Sequence, residues 1–300
     1  MTKRYSNIKI AFYSGTGGTE LAAKSFQSHL ETAGCTCTIE KITHRIGKDQ
    51  SSCDLLLLLF PVYAFHAPDA VYKWMDGLNT VSQVPAAVIS VSGGGEVCPN
   101  TACRVSSIKR LTRKGYHIVY ERMIVMPSNW IAPAPSPFPY LLMQALPIVI
   151  AQITSDLLSG ACRKAKPLWI DRIFSVIGKL ETLGGHYWGK RIKVLEHCTG
   201  CGWCAIHCPA GNITMTNGKP TFADGCHICL KCIYGCPNKA LQPGICKFIL
   251  IQEGYCLREI AKQLPQNPQT PVQDLKVGFF WLGVKKYLMS VSDNQRDLSL

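Results

Sequence analysis

The sequence predicts an α/β protein: a doubly wound parallel sheet, a smaller α+β unit after it, and C-terminal helices. Three observations carry this prediction. Short apolar runs alternate with helical patterns over the first half of the chain. A loop of Gly, Ser and Thr stands at the first strand-to-helix junction. Beyond residue 190, two cysteine runs repeat one spacing.

The predicted strands are 8–13 (IKIAFY), 35–42 (CTCTIEKI), 54–63 (DLLLLLFPVY), 85–95 (PAAVISVSGGG) and 116–127 (YHIVYERMIVMP), each rich in β-branched or aromatic residues or continuously apolar. The LLLLLF core of the third is too short to span a bilayer and suits a strand buried on both faces. Helical periodicity separates the strands at 19–30, 68–78, 98–113 and 147–159. Within RVSSIKRLTRK (104–114), Val105, Ile108 and Leu111 mark the buried side and the cations a solvated face. Residues 139–158 are long enough for a membrane span, but Gln144, Pro147, Gln152 and Asp156 make them an internal helix instead. MTKRYSNIKI holds no apolar stretch of signal-peptide length, so the expectation is a cytoplasmic protein with no membrane span.

The domain boundaries follow composition. Residues 1–163 form the sheet domain, 164–190 a helical linker, 191–245 the cysteine domain and 246–300 a helical extension. PAPSPFP at 133–139 is a proline-rich connection, and 168–183 has helical spacing suited to packing between domains. Residues 247–264 read as an amphipathic helix, PQNPQTP at 265–271 as its break, and 276–289 as its resumption. FFWLG at 279–283 is apolar enough to dock on the main body or to pair two copies as a homodimer.

The chain has 16 cysteines, and eight fall into one pattern. CTGCGWCAIHCP supplies Cys198, Cys201, Cys204 and Cys208; CHICLKCIYGCP supplies Cys226, Cys229, Cys232 and Cys236. Both read C-x2-C-x2-C-x3-C-P and lie 28 residues apart. This is the two-cluster bacterial spacing, in which three thiolates wrap one face of a [4Fe–4S] cube and the fourth comes from the other run. The first cluster is therefore expected on Cys198, Cys201, Cys204 and Cys236, and the second on Cys226, Cys229, Cys232 and Cys208. Structural zinc, the competing reading, uses paired C-x2-C and not two runs of four closed by Pro. Gly202 and Gly235 are read as places where backbone approaches the cubes. NITMTNGKPTF (212–222) reads as a hairpin turning at Asn217-Gly218. The other eight cysteines lack such spacing and read as small buried side chains, with Cys98 expected in the helix that follows it.

The loop YSGTGGTE (13–20) leaves a strand and enters a helix, where free N–H groups and the helix dipole favour an anion. Ser14, Thr16 and Thr19 add hydroxyls, while Gly15, Gly17 and Gly18 let the backbone fold round a phosphate. The absence of Lys excludes a Walker A loop, and Glu20 stands where G-x-G-x-x-G needs its third glycine. Neutral donors of this kind suit a terminal monophosphate.

Residues 14–19 match the flavodoxin phosphate loop, [ST]-x-T-G-x-T. With FPVYAFHAP, VSGGG, MPSNW, the paired cysteine runs and the tail FILIQEGYCLREI, nearly the whole chain resembles the fused flavodoxin–ferredoxin proteins of anaerobes, the EFR-type ferredoxins. The resemblance implies a five-stranded flavodoxin-like sheet of order 2-1-3-4-5 and a bound FMN. It implies that Ser14, Thr16, Gly17 and Thr19 hold the phosphate. It implies that Pro61, Val62 and Tyr63 line the isoalloxazine, with Tyr63 or Phe65 stacked on it. Ser92, Gly93 and Gly94 would meet its other edge, and Asn129 and Trp130 would stand as a third wall. His66 is read as a loop residue and not a catalyst.

The formal charge of +13 needs reading against these groups. Two clusters and one flavin phosphate, at about −2 each, lower it to roughly +7. No Lys/Arg block dominates, so the expected partners are acidic redox proteins (a ferredoxin, a flavodoxin or an oxidoreductase) and not nucleic acid. The functional expectation is electron transfer between two [4Fe–4S] clusters and FMN. The alternatives are a flavin-dependent NAD(P)H or quinone reductase, and a redox-sensing binding module whose flavodoxin-like domain is empty.

Overall fold

The computed structural model describes residues 4–44, 52–131, 133–165, 168–262 and 271–297. The first unit runs β1 (Asn7–Phe12), α1 (Gly18–Thr32), β2 (Thr36–Lys41), β3 (Leu55–Pro61), α2 (Asp69–Asp76), β4 (Val84–Ser92), α3 (Cys103–Arg113), β5 (Tyr116–Val125) and α4 (Phe138–Ser159). The strands are parallel and ordered β2-β1-β3-β4-β5. That is the flavodoxin-like order.

The two-residue period of a strand sorts LLLLLF onto two cores. Leu55, Leu57 and Leu59 join Ile8, Ile10, Ile89 and the apolar sides of α1 and α4. Leu56, Leu58 and Phe60 join Ala11, Val88 and the buried residues of α2 and α3. Helices therefore cover both faces, as a continuously apolar central strand requires. In α3 the buried residues are Cys103, Arg104, Ser107 and Leu111; Val105 and Ile108 are only half-buried. Arg104 is tolerated there because Glu96 accepts from its guanidinium at 2.8 Å.

α4 starts nine residues before the periodic signal, because Pro137 and Pro139 suit a first helical turn. It runs on through Pro147, giving up one backbone hydrogen bond, since Leu142, Leu146, Val149, Ile150 and Ile153 hold it in the core. Among the described residues it is the one helix long and apolar enough to cross a membrane. Cys98 does not enter α3. It lies in the preceding loop, half-buried, because Pro99 turns the residue before it away from helical backbone.

The chain continues through α5 (Trp169–Gly189), β6 (Ile192–Val194), α6 (Trp203–Ile206), β7 (Ile213–Thr216), β8 (Lys219–Phe222), α7 (Lys231–Tyr234) and β9 (Leu241–Pro243). β6 pairs with β9 and β7 with β8, both antiparallel. The second pair is the predicted hairpin, with Asn217 and Gly218 both at positive φ. A small core of Trp188, Ile192, Ile213, Leu230, Ile233 and Leu241 holds this unit together.

The predicted helix over 247–264 is not continuous. A 3-10 turn covers Lys247–Ile249, Gly254 takes a φ of +86°, and only α8 (Leu257–Lys262) is helical. Residues 263–264 and nearly all of the PQNPQTP segment lie outside the described residues. The last helix, α9 (Leu282–Asp297), returns to the first unit, where Val284, Tyr287, Leu288 and Val291 enter its core beside α4. FFWLG splits: Gly283 lies against the Gly94 carbonyl, while Phe279 and Phe280 are exposed.

Burial also sets an alkaline limit. It pushes the thiols of Cys37 and Cys103 up to about 11 and 12, and the phenols of Tyr72 and Tyr116 up to about 12. A raised folded pKa favours the protonated form, so this stabilisation is complete below the unfolded values of about 8.5 for Cys and 10 for Tyr. It is lost as pH rises towards the folded values. The urea midpoint is expected to hold level to about pH 8.5 and fall between there and about pH 12, less steeply in Cys103→Ala.

Candidate functional site

The phosphate-loop candidate sits between β1 and α1, at the C-terminal edge of the sheet. Ser14 and Thr19 are buried, and the Ser14 hydroxyl accepts from the Glu20 N–H at 3.2 Å. Among the described residues, the N–H groups of Gly15, Thr16, Gly17, Gly18 and Thr19 have no acceptor. Five such donors at a helix start form an anion cradle. Residue 15 has no room for a side chain: a Cβ there would run into the Tyr63 hydroxyl and lie 2.9 Å from Cys229 Cβ. The phosphate loop thus packs directly on the second cysteine run.

The flanking loops fall into place unevenly. After β3, Tyr63 and His66 exchange backbone hydrogen bonds of 2.9 and 2.8 Å, with Ala64 and Phe65 at positive φ between them. This tight turn aims Tyr63 at Gly15, edge-on to Tyr13 with ring centroids 6.4 Å apart. Val62 donates to Val91, which ties this loop to β4. Pro61 and Val62 are half-buried beside Tyr63. Phe65 turns instead to Phe174 of α5, with centroids 5.4 Å apart. His66 is buried against Tyr72 and remains a loop residue.

After β4, Ser92 accepts the Gly94 N–H at 3.0 Å, so that donor is turned inward. Gly93 is pressed on Ser128, where a Cβ would lie 2.8 Å from Ser128 Cβ. After β5, Trp130 packs on the core of the cysteine domain. Asn129 bridges: its Nδ2 donates to Thr16 Oγ1 at 2.9 Å and, at a long 3.5 Å, to the Cys229 carbonyl.

The cysteines form two groups. Cys198, Cys201, Cys204 and Cys236 line one hollow together with Gly200, Trp203, Met215 and Leu241. Cys208 stands apart from its own run and lies close enough to Cys226, Cys229 and Cys232 to push their thiols up. The fourth cysteine of each run therefore sits with the other run. Burial is the larger cause of these shifts: Cys226 rises to about 11, Cys229 to about 12, and Cys232 goes well above its ordinary value. Backbone N–H groups point at sulfur in matching places, from Asn212 to Cys208 at 3.4 Å and from Ala240 to Cys236 at 3.3 Å. Among the described residues, no three His, Cys, Asp or Glu side chains converge on a single ion. The donor set, all sulfur around a shared hollow, fits a cluster better than zinc. Gly235 makes room for the Trp203 indole.

Residues 192–214 match the 4Fe-4S binding domain family. The match spans the first cysteine run and ends before the second. No curated protein matches the chain. About half of the chain is similar to solved flavodoxins. The Streptococcus pneumonia TIGR4 flavodoxin is 18% identical, with 51% of this chain and 99% of that one covered, at a TM-score of 0.40. Flavodoxin 2 from Bacillus cereus is 15% identical over 51% and 99%, at 0.41. General stress protein 14 of Treponema denticola, solved with FMN, is 11% identical over 51% and 96%, at 0.35. The strand order, and not these likenesses, identifies the fold.

Several junction residues escaped the sequence reading. Tyr13, just after β1, pairs with His227 Nδ1 at 2.8 Å and joins the sheet domain to the ferredoxin-like domain. Burial, then the charge of Cys229, holds the Tyr13 phenol well above its ordinary value, so it stays protonated. Leu257 of α8 covers Gly17, with Cδ1 3.7 Å from where a Cβ would stand. His227 lies inside a cysteine run, its one visible signal; Tyr13 and Leu257 read as ordinary strand and helix residues.

Proposed function

We propose that this chain is an electron-transfer iron–sulfur flavoprotein that links one-electron carriers to FMN, in the manner of the EFR-type ferredoxins. The contact of Gly15 with Cys229 carries the reading, because it joins an anion-ready loop to a cysteine loop at one junction. Cys198, Cys201, Cys204 and Cys236 would hold one [4Fe–4S] cluster, and Cys208, Cys226, Cys229 and Cys232 the other. The N–H groups of residues 15–19, with Ser14, Thr16 and Thr19, would hold the flavin phosphate. Pro61, Val62 and Tyr63 would line the ring system.

Bound FMN supplies exchange of one or two electrons, and iron–sulfur clusters exchange of one. The protein's part is binding and insulation. The cradle's neutral donors neutralise phosphate without a lysine. The buried thiols must surrender protons to bind iron, so their burial makes the site selective for a ligand that stabilises thiolate. Trp130, Leu230 and Tyr234 share one apolar cluster with Cys208, Cys226 and Cys232. The net charge of +13 supports an acidic protein as the carrier.

The test is an anaerobic absorbance spectrum with iron, sulfide and extractable flavin counted per chain. About eight irons and one FMN are expected. About eight irons with no uptake of added FMN would sink the flavin reading. Flavin reduction by NAD(P)H alone, without a one-electron donor, would make the protein a reductase instead.

A further inference from the structure

Asn129 sits where three segments meet. Its Nδ2 donates to Thr16 Oγ1 in the phosphate loop and faces the Cys229 carbonyl in the cysteine loop. Its own carbonyl accepts from Tyr234 Oη at 3.0 Å, and that hydroxyl accepts the Ile251 N–H at 2.9 Å. The orientation of the amide follows from the partners. A carbonyl can only accept, so the nitrogen must face Cys229. The same nitrogen then occupies a lone pair of Thr16, which leaves the Thr16 hydroxyl hydrogen to point elsewhere. The same loop holds the five N–H groups of residues 15–19, which have no acceptor among the described residues, and the hydroxyl hydrogen is free to join them. Asn129 thus sets Thr16 as a sixth donor, and does so only while Cys229 stays in place.

We propose that Asn129 is a positioning residue that couples the phosphate loop to the Cys226–Cys232 loop, so that flavin-phosphate affinity and iron retention at that loop depend on each other. The inference rests on the flavin and two-cluster reading above. The coupling is reciprocal by linkage: whatever holds the cysteine loop strengthens the cradle, and an occupied cradle holds the cysteine loop. It is specific to the phosphate, because Asn129 acts through Thr16.

The experiment uses the full-length, iron-loaded, flavin-free protein and its Asn129→Asp variant, which keeps the shape and loses the donor. FMN and riboflavin are titrated by fluorescence quenching. Iron withdrawal by bathophenanthroline disulfonate is followed by absorbance, with either flavin at saturation. Asn129→Asp is expected to weaken FMN on the order of tenfold and leave riboflavin within about twofold. FMN should slow iron loss in the parent protein and not in the variant, and riboflavin should slow it in neither. Asn129→Ala, which adds no charge beside the Cys229 carbonyl, should behave the same way. Variants that bind FMN as the parent does would overturn the proposal. So would equal losses of FMN and riboflavin affinity, or equal protection of iron by FMN in parent and variants. A parent protein that holds its iron but takes up no FMN would defeat the flavin reading itself, and the proposal with it.

Discussion

Gly15→Ala is expected to weaken FMN binding roughly a hundredfold, the upper end of what one methyl of overpacking (about 1–3 kcal/mol) does. The reason is geometric. The added Cβ meets two neighbours, the Tyr63 hydroxyl and Cys229 Cβ at 2.9 Å. The hydroxyl is the tip of a side chain and can swing aside. Cys229 Cβ cannot, because Asn129 and the Tyr13–His227 pair fasten its loop. The phosphate loop must therefore move off the cysteine loop, carrying its five N–H groups with it. FMN titration by fluorescence, with iron per chain measured after gel filtration, gives the answer. Gly184→Ala is the comparison, since its methyl meets nothing within 4 Å. If both variants bind FMN as the parent does, the two loops are not in the contact described.

The features legible in the sequence are those whose cause is local. A strand's side chains alternate, so LLLLLF had to face two cores and needed helices on both sides. Cluster binding draws three thiolates from one short loop, so C-x2-C-x2-C is readable wherever it falls. The proline after each run led to the expected crossing of Cys208 and Cys236, and the fold puts each of these side chains near the other run's cysteines. The junction was not. Asn129 and Thr16 are 113 residues apart, and Tyr13 and His227 are 214 apart. Nothing in the spacing of such pairs records a hydrogen bond.

What the sequence did not show has equally specific causes. Periodicity over 247–264 ignored Gly254, whose positive φ no helix accommodates. The glycines at 93 and 94 read as a ligand's approach route; the spacing does not record that Ser128 and Asn100 also lie against them. Trp130 looked like a wall of the cleft because it follows a strand's C-terminal end. Its indole also packs on the core of the ferredoxin-like domain.

The crossing itself makes the second large prediction. Cys208→Ala and Cys236→Ala each remove the fourth thiol of a group, so each should lower iron from about eight per chain to about four. Their effects on flavin should be opposite to what chain order implies. Cys208 belongs to the first run but sits among Cys226, Cys229 and Cys232, the group pressed on Gly15. Its loss loosens the cysteine loop and is expected to weaken FMN on the order of tenfold. Cys236 belongs to the second run but lines the hollow of Cys198, Cys201 and Cys204, and none of the described residues lining that hollow belongs to the phosphate loop. Its loss should leave FMN affinity within about twofold. Uncrossed groups would reverse the two results, with Cys236→Ala losing the flavin and Cys208→Ala keeping it. Iron counting and FMN titration on the same two preparations therefore decide both how the cysteines are grouped and which group lies beside the flavin.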